Sequence, residues 1–140
     1  MWTGLSVAAL LATLVLCGRL CRHVGLPYHP LTGVLVVLLL TTPLAEEMGN
    51  GQVNLLWGCL TVAAVFAAVR GRPWLAALAL SLAILLKLPA LVFLPYLCLQ
   101  RSWGLLGRTI VLLAGLTLAS SALIVPGAPW HLVAEWARAL

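Results

Sequence analysis

Lys87 is the only lysine in the chain, and it stands beside Leu88 and Pro89 between two uncharged apolar runs. A cation in such a place is costly, so it marks an ion, a substrate or a partner. A second polar stretch precedes it, Glu46-Glu47-Met48-Gly49-Asn50-Gly51-Gln52-Val53-Asn54, with two of the chain's three acidic residues. Gly49 and Gly51 permit a tight turn or the close approach of a ligand. Gln52 and Asn54 open the next apolar run, where free backbone N–H groups and the positive end of a helix dipole can hold an anion. Their side-chain amides can donate to hydroxyl or phosphate oxygens. One cation and two amides suit a phosphate-bearing ligand. Plainer readings stand beside these. Asn50 can be a helix N-cap, and Lys87 can snorkel to an interface or pair with Glu46 or Glu47.

The remaining reactive side chains say less. Cys17, Cys21, Cys59 and Cys98 lie in or at the edge of apolar runs without zinc-ligand spacing, so they read as small buried hydrophobes. His23 and His29 fall in a loop with Tyr28 and two prolines and read as solvated. His131 and Glu135 are four apart, on one helical face, and read as decoration of an interfacial helix. No metal or cofactor is expected.

The elements that must position these residues are membrane helices. The chain is 64% hydrophobic and only 8% charged, against about 25% charged in soluble domains. In a bilayer every backbone group must be satisfied internally, which leaves helices or a closed barrel. The Leu- and Ala-rich runs lack period-two alternation, so the fold class is all-α, a multi-pass transmembrane helix bundle. The net charge of +5 is no nucleic-acid signal, because the basic residues sit singly or in pairs at the ends of apolar runs. The start, Met1 to Gly18, has no basic leader and reads as a spanning helix.

Arginine placement sets the topology. As one helix, Pro73–Leu99 would be about 40 Å long, and Arg70/Arg72 would face the opposite side from Arg101/Arg108. A break at Lys87-Leu88-Pro89 brings Arg19, Arg22, Arg70, Arg72, Arg101 and Arg108 to one side, as the positive-inside rule favours. Pro89 supplies the break. Six membrane segments follow, at about 2–18, 31–45, 53–69, 74–86, 90–99 and 109–125, with an interfacial helix at 130–138. The loops Arg19–His29, Arg70–Arg72 and Gln100–Arg108 are then cytoplasmic, and Glu46–Gln52 and Lys87 lie outside. No linker or repeat divides residues 1–140.

The Asn50-Gly51-Gln52-Val53-Asn54-Leu55-Leu56 element, followed by Lys87-Leu88-Pro89 and Pro95-Tyr96-Leu97, resembles glycosyltransferase family 87. These bacterial polytopic enzymes of the GT-C class are similar to the polyprenyl-phosphate-mannose-dependent mannosyltransferases of actinobacteria. The resemblance implies transfer of a hexose, with mannose favoured, from a polyprenyl-phosphate donor to a lipid or glycan acceptor at the outer face of a bacterial plasma membrane. The displacement would be inverting. Gly51, Gln52, Asn54, Lys87 and Pro89 match, with Lys87 on the donor phosphate and Gln52 and Asn54 shaping the cavity. The departure is the base: the family generally uses an upstream aspartate, this chain has none, and Glu46 and Glu47 are weak stand-ins whose place near a helix start favours capping or pairing. It is therefore expected to be the central part of such an enzyme, not competent alone. A transporter or flippase module and a ligand-free membrane scaffold are the alternatives. The first should show an inverted repeat or an ionisable relay, and the second should tolerate replacement of Gln52, Asn54 and Lys87.

Overall fold

The computed structural model describes residues 2–39, 42, 44–46 and 53–124. Glu47, Asn50, Gly51, Gln52 and the expected interfacial helix 130–138 with His131 and Glu135 lie outside the described residues. Among the described residues all regular structure is helical, as composition demanded. The elements are α1 (Trp2–His23), α2 (Pro30–Leu39), α3 (Asn54–Val69), α4 (Pro73–Leu86), a 3-10 helix (Leu88–Val92), α5 (Phe93–Leu99) and α6 (Trp103–Ile124). Residues 42 and 44–46 are also helical.

Two of these helices, α1 and α6, are long and apolar enough to cross a membrane. The others are shorter: α3 has 16 residues and α4 has 14, or about 24 and 21 Å of rise against a hydrocarbon core of about 30 Å. The expected boundaries shift at two places. α1 continues through Arg19 and Arg22 to His23, and α6 begins at Trp103, so most of the expected loop Gln100–Arg108 is helix. Arginine is a good helix former, and its polar head ends an apolar run without ending a helix.

Three turns at the arginine-bearing end share one geometry. Leu26 N–H donates to the Cys21 carbonyl at 2.8 Å, Arg72 to Ala67 at 2.9 Å and Ser102 to Leu97 at 3.0 Å. Each bond closes a helix C-terminus in the Schellman manner, which needs one residue in the left-handed region. Gly25 (φ 76°) and Gly71 (φ 67°) supply it twice, and Arg101 (φ 54°) supplies it for α5. At the far end of α4 the chain breaks differently. Lys87 donates its N–H to Ala83 at 3.0 Å and is itself extended, at φ −156° and ψ 119°. Pro89 has no N–H to offer the Leu85 carbonyl, and its ring would collide with that carbonyl in a continuous helix. The backbone restarts as the 3-10 helix, and α5 returns against α6. The run Pro73–Leu99 is thus two pieces, at the position expected.

The interior is made of small residues. Ala77, Ala83, Ala90, Ser81 and Thr109 are each 0% exposed. Large side chains such as Leu39, Leu99, Val111 and Trp103 point outward, each more than half exposed. Close backbone approach and interhelical hydrogen bonds of this kind are what hold helices together where lipid surrounds them. α4 packs between α3 and α6, and α1 lies against α3. Ser81 Oγ donates to the Thr109 carbonyl at 3.1 Å, joining α4 to α6. Tyr28, expected in a solvated loop, is half-buried. Its ring lies where any Cβ on Gly18 would come within 2.9 Å, and its hydroxyl is 3.0 Å from the Cβ position of Gly33. It therefore fastens α2 to α1.

The left-handed residues make a stability prediction. Arg101→Gly relieves a side chain held at positive φ and should stabilise by about 1 kcal/mol. Gly71→Ala, with open space around its Cβ position, should destabilise by about 1 kcal/mol through the backbone alone. Denaturant unfolding of the detergent-solubilised protein measures both, and the two shifts must have opposite signs.

Candidate functional site

The helix break places Lys87 beside the start of α3, and Lys87 Nζ donates a hydrogen bond to Asn54 Oδ1 across 33 positions of sequence. Asn54 is the first residue of α3, and its N-cap, Val53, provides no side-chain capping bond. The dipole of α3 points its positive end here. Lys87 is exposed and Asn54 half-buried, so the ammonium keeps donors for a further acceptor. The pairing of Lys87 with a carboxylate, one of the possibilities left by the sequence, is replaced by this amide contact where Glu46 is concerned. Glu46 is exposed, in the helical stretch 44–46. Of the remaining candidates, Pro89 sits in the first turn of the 3-10 helix, exposed.

One residue near this site was not singled out from the sequence. Trp57 lies one turn after Asn54 on the same side of α3 and packs against the cluster that holds Ala83, Ile84 and Ala90, the neighbours of Lys87 in sequence. Its indole N–H is buried and has no hydrogen-bond partner among the described residues. A buried tryptophan usually finds such a partner, and an unmet donor costs about 1–3 kcal/mol. The signal available in sequence was a tryptophan three residues after the asparagine that opens an apolar run.

The six arginines among the described residues lie at the other end. α4 separates Arg72 from Lys87 by its 14 residues, about 21 Å of rise. Arg108, near the start of α6, stacks over the Trp74 ring at 5.3 Å, so the starts of α4 and α6 share that end. Arg19, Arg22, His23 and Arg70 line one cleft there. The sequence-derived segregation of Lys87 from these arginines is present in the fold. His23 and His29 are exposed, as expected, and among the described residues no group of three or more His, Cys, Asp or Glu can hold a metal.

The site is a lone cation braced by an amide oxygen at a helix N-terminus, with a buried donor one turn deeper. An ammonium held in this way can donate further hydrogen bonds to an oxyanion. The sequence model of glycosyltransferase family 87 matches residues 1–140, the whole chain. No curated protein and no solved structure matches.

The unmet donor can be tested directly. Replacing Trp57 by its benzothienyl analogue keeps the bicyclic ring and removes the N–H, so the ligand-free protein should gain about 1 kcal/mol in denaturant unfolding. Unchanged stability would mean that the indole N–H is already satisfied, for instance by water.

Proposed function

Because the chain belongs to glycosyltransferase family 87, a family of membrane glycosyltransferases, we propose that it takes part in transfer of a hexose, mannose being the favoured sugar, from a polyprenyl-phosphate donor to a lipid or glycan acceptor. The observation that carries the reading is the Lys87–Asn54 contact at the helix break, remote from every described arginine. A donor phosphate beside Lys87 receives charge-assisted hydrogen bonds, and the N-terminal N–H groups of α3 add their dipole. Gln52 and Gly51, two and three residues before Asn54, complete the cradle in this reading. The exposed apolar faces of α3 to α6 leave the polyprenyl tail in lipid.

In the reaction the acceptor hydroxyl attacks the anomeric carbon, the bond from that carbon to the phosphate oxygen breaks, and the configuration inverts. Negative charge grows on the departing polyprenyl phosphate, and Lys87 is positioned to neutralise it. The acceptor proton passes to a carboxylate, for which Glu46 and Glu47 are the candidates this segment offers. By the positive-inside rule the arginine end is cytoplasmic, which puts Lys87 and the transfer at the outer face of a multi-pass protein in the bacterial plasma membrane.

Two measurements test this. In a cysteine-free background on intact cells, Lys87→Cys should react with a membrane-impermeant thiol reagent while Gly71→Cys stays protected. The reverse pattern would invert the topology and remove the outer-face assignment. Binding of polyprenyl-phosphate mannose to the solubilised protein should weaken roughly 10- to 100-fold in Lys87→Gln and recover in part in Lys87→Arg. Unchanged binding in Lys87→Gln would sink the phosphate role.

A further inference from the structure

We propose that the arginine end of the bundle is a binding site for an anionic phospholipid, with its phosphate headgroup between α1 and α3 and an acyl chain between α3 and α4. This inference rests on membrane embedding alone, not on the sugar-transfer reading, and it concerns the end of the molecule remote from Lys87.

Two cavities meet there. The first is a polar cleft of about 650 Å³, lined by Arg19, Arg22 and His23 of α1 and by Arg70, which caps α3. Arg22 returns its Nε–H to the Gly18 carbonyl at 3.3 Å, leaving its terminal nitrogens for the cleft. Glu46, the one carboxylate among the described residues, lines neither cavity, so the lining bases are not neutralised by it. The second is an apolar groove of about 400 Å³ between α3 and α4, lined by residues including Leu60, Phe66, Leu75 and Leu82, with Arg70 and Arg72. Arg70 belongs to both. Its guanidinium carbon lies 5.0 Å above the Phe66 ring centroid, which holds the cation at the junction of groove and cleft.

The shape and charge together select the occupant. Basic clefts between membrane helices on the cytoplasmic side are suited to acidic lipid headgroups. A free phosphate would have no use for the groove, and a zwitterionic lipid would gain little from three arginines. From Leu60 to Arg70 the groove follows α3 for about 15 Å, near half the thickness of the hydrocarbon core and so about one leaflet. Arginines at the ends of α1 and α3 also complement the helix dipoles and orient the chain. Those two roles require cations at helix ends. They do not require cations from two helices to converge on one cleft that opens into an apolar groove.

The test is lipid retention by the whole purified chain, read by native mass spectrometry, with phosphatidylglycerol and phosphatidylcholine of identical acyl chains. Phosphatidylglycerol should be retained in preference. Arg19→Gln/Arg70→Gln should lower that preference roughly fivefold for each arginine removed, and Arg19→Lys/Arg70→Lys should keep most of it. Ala63→Phe, which fills the groove and leaves every charge in place, should lower retention of phosphatidylglycerol. Equal retention of the two lipids would overturn the proposal, as would a preference that survives both Arg19→Gln/Arg70→Gln and Ala63→Phe. Displacement of the lipid by millimolar inorganic phosphate would reduce the site to a simple anion cleft and overturn it too. Should the glutamine variant fail to fold, Ala63→Phe and the lysine variant decide the matter. Loss of preference in Lys87→Gln alone would place the lipid at the other end.

Discussion

The arrangement of the polar end depends on a hydrogen bond that cannot form. Pro89 has no N–H for the Leu85 carbonyl, so α4 stops at Leu86 and Lys87 becomes extended. A helix carried through this point would continue Pro73–Leu99 as a single rod and send Arg101 and Arg108 away from Arg70 and Arg72. With the break, the chain doubles back within a few residues, and Ala90, fully buried, seats the turn on the core. The same break brings Lys87 to Asn54. An asparagine that could have been only a helix start becomes the acceptor for the chain's sole lysine.

Doubling back needs room, and the small residues create it. Along α4 the buried positions are Ala76, Ala77, Leu80, Ser81, Ala83 and Ile84, a run in which four of six side chains are alanine or serine. In water so little apolar volume would make a poor core, since burial is worth about 25 cal/mol per Å². In lipid the large side chains need no burial, and close approach of backbones is what binds helix to helix. The Ser81–Thr109 hydrogen bond is of the same kind: a buried polar group satisfied by the neighbouring helix. Gly18 and Gly33 repeat the device for Tyr28, whose ring occupies the space their missing side chains leave.

Much of this was readable in the residues because the signals were categorical. A proline removes a donor wherever it stands, and arginines at run ends report a side of the membrane, so the helical class, the break near Lys87 and the grouping of six arginines could all be reasoned out. What was not readable depended on contact. Helix ends were missed at α1 and α6 because hydropathy falls at the first arginine while backbone hydrogen bonding goes on; the Schellman turns that do end the helices use Gly25, Gly71 and, without any sequence cue, Arg101. Tyr28 does lie in the loop between α1 and α2, but its packing was not readable, since nothing in its own stretch refers to Gly18 or Gly33. Trp57 looked like one more apolar residue, because an unmet donor exists only once neighbours are in place.

The two ends of the bundle therefore carry opposite solutions to one electrostatic problem. At the end where α1 and α3 finish, helix dipoles are negative, and the arginines there both balance the dipoles and concentrate charge in one cleft. At the end where α3 begins and α4 finishes, a positive and a negative dipole end lie side by side, with Lys87 at the C-cap of α4. A single lysine suffices there, restrained by an amide oxygen that costs it no charge. A carboxylate partner would have held Lys87 more firmly and would have cancelled its charge. Asn54 orients the ammonium and leaves its charge intact, as the proposed phosphate role of Lys87 requires.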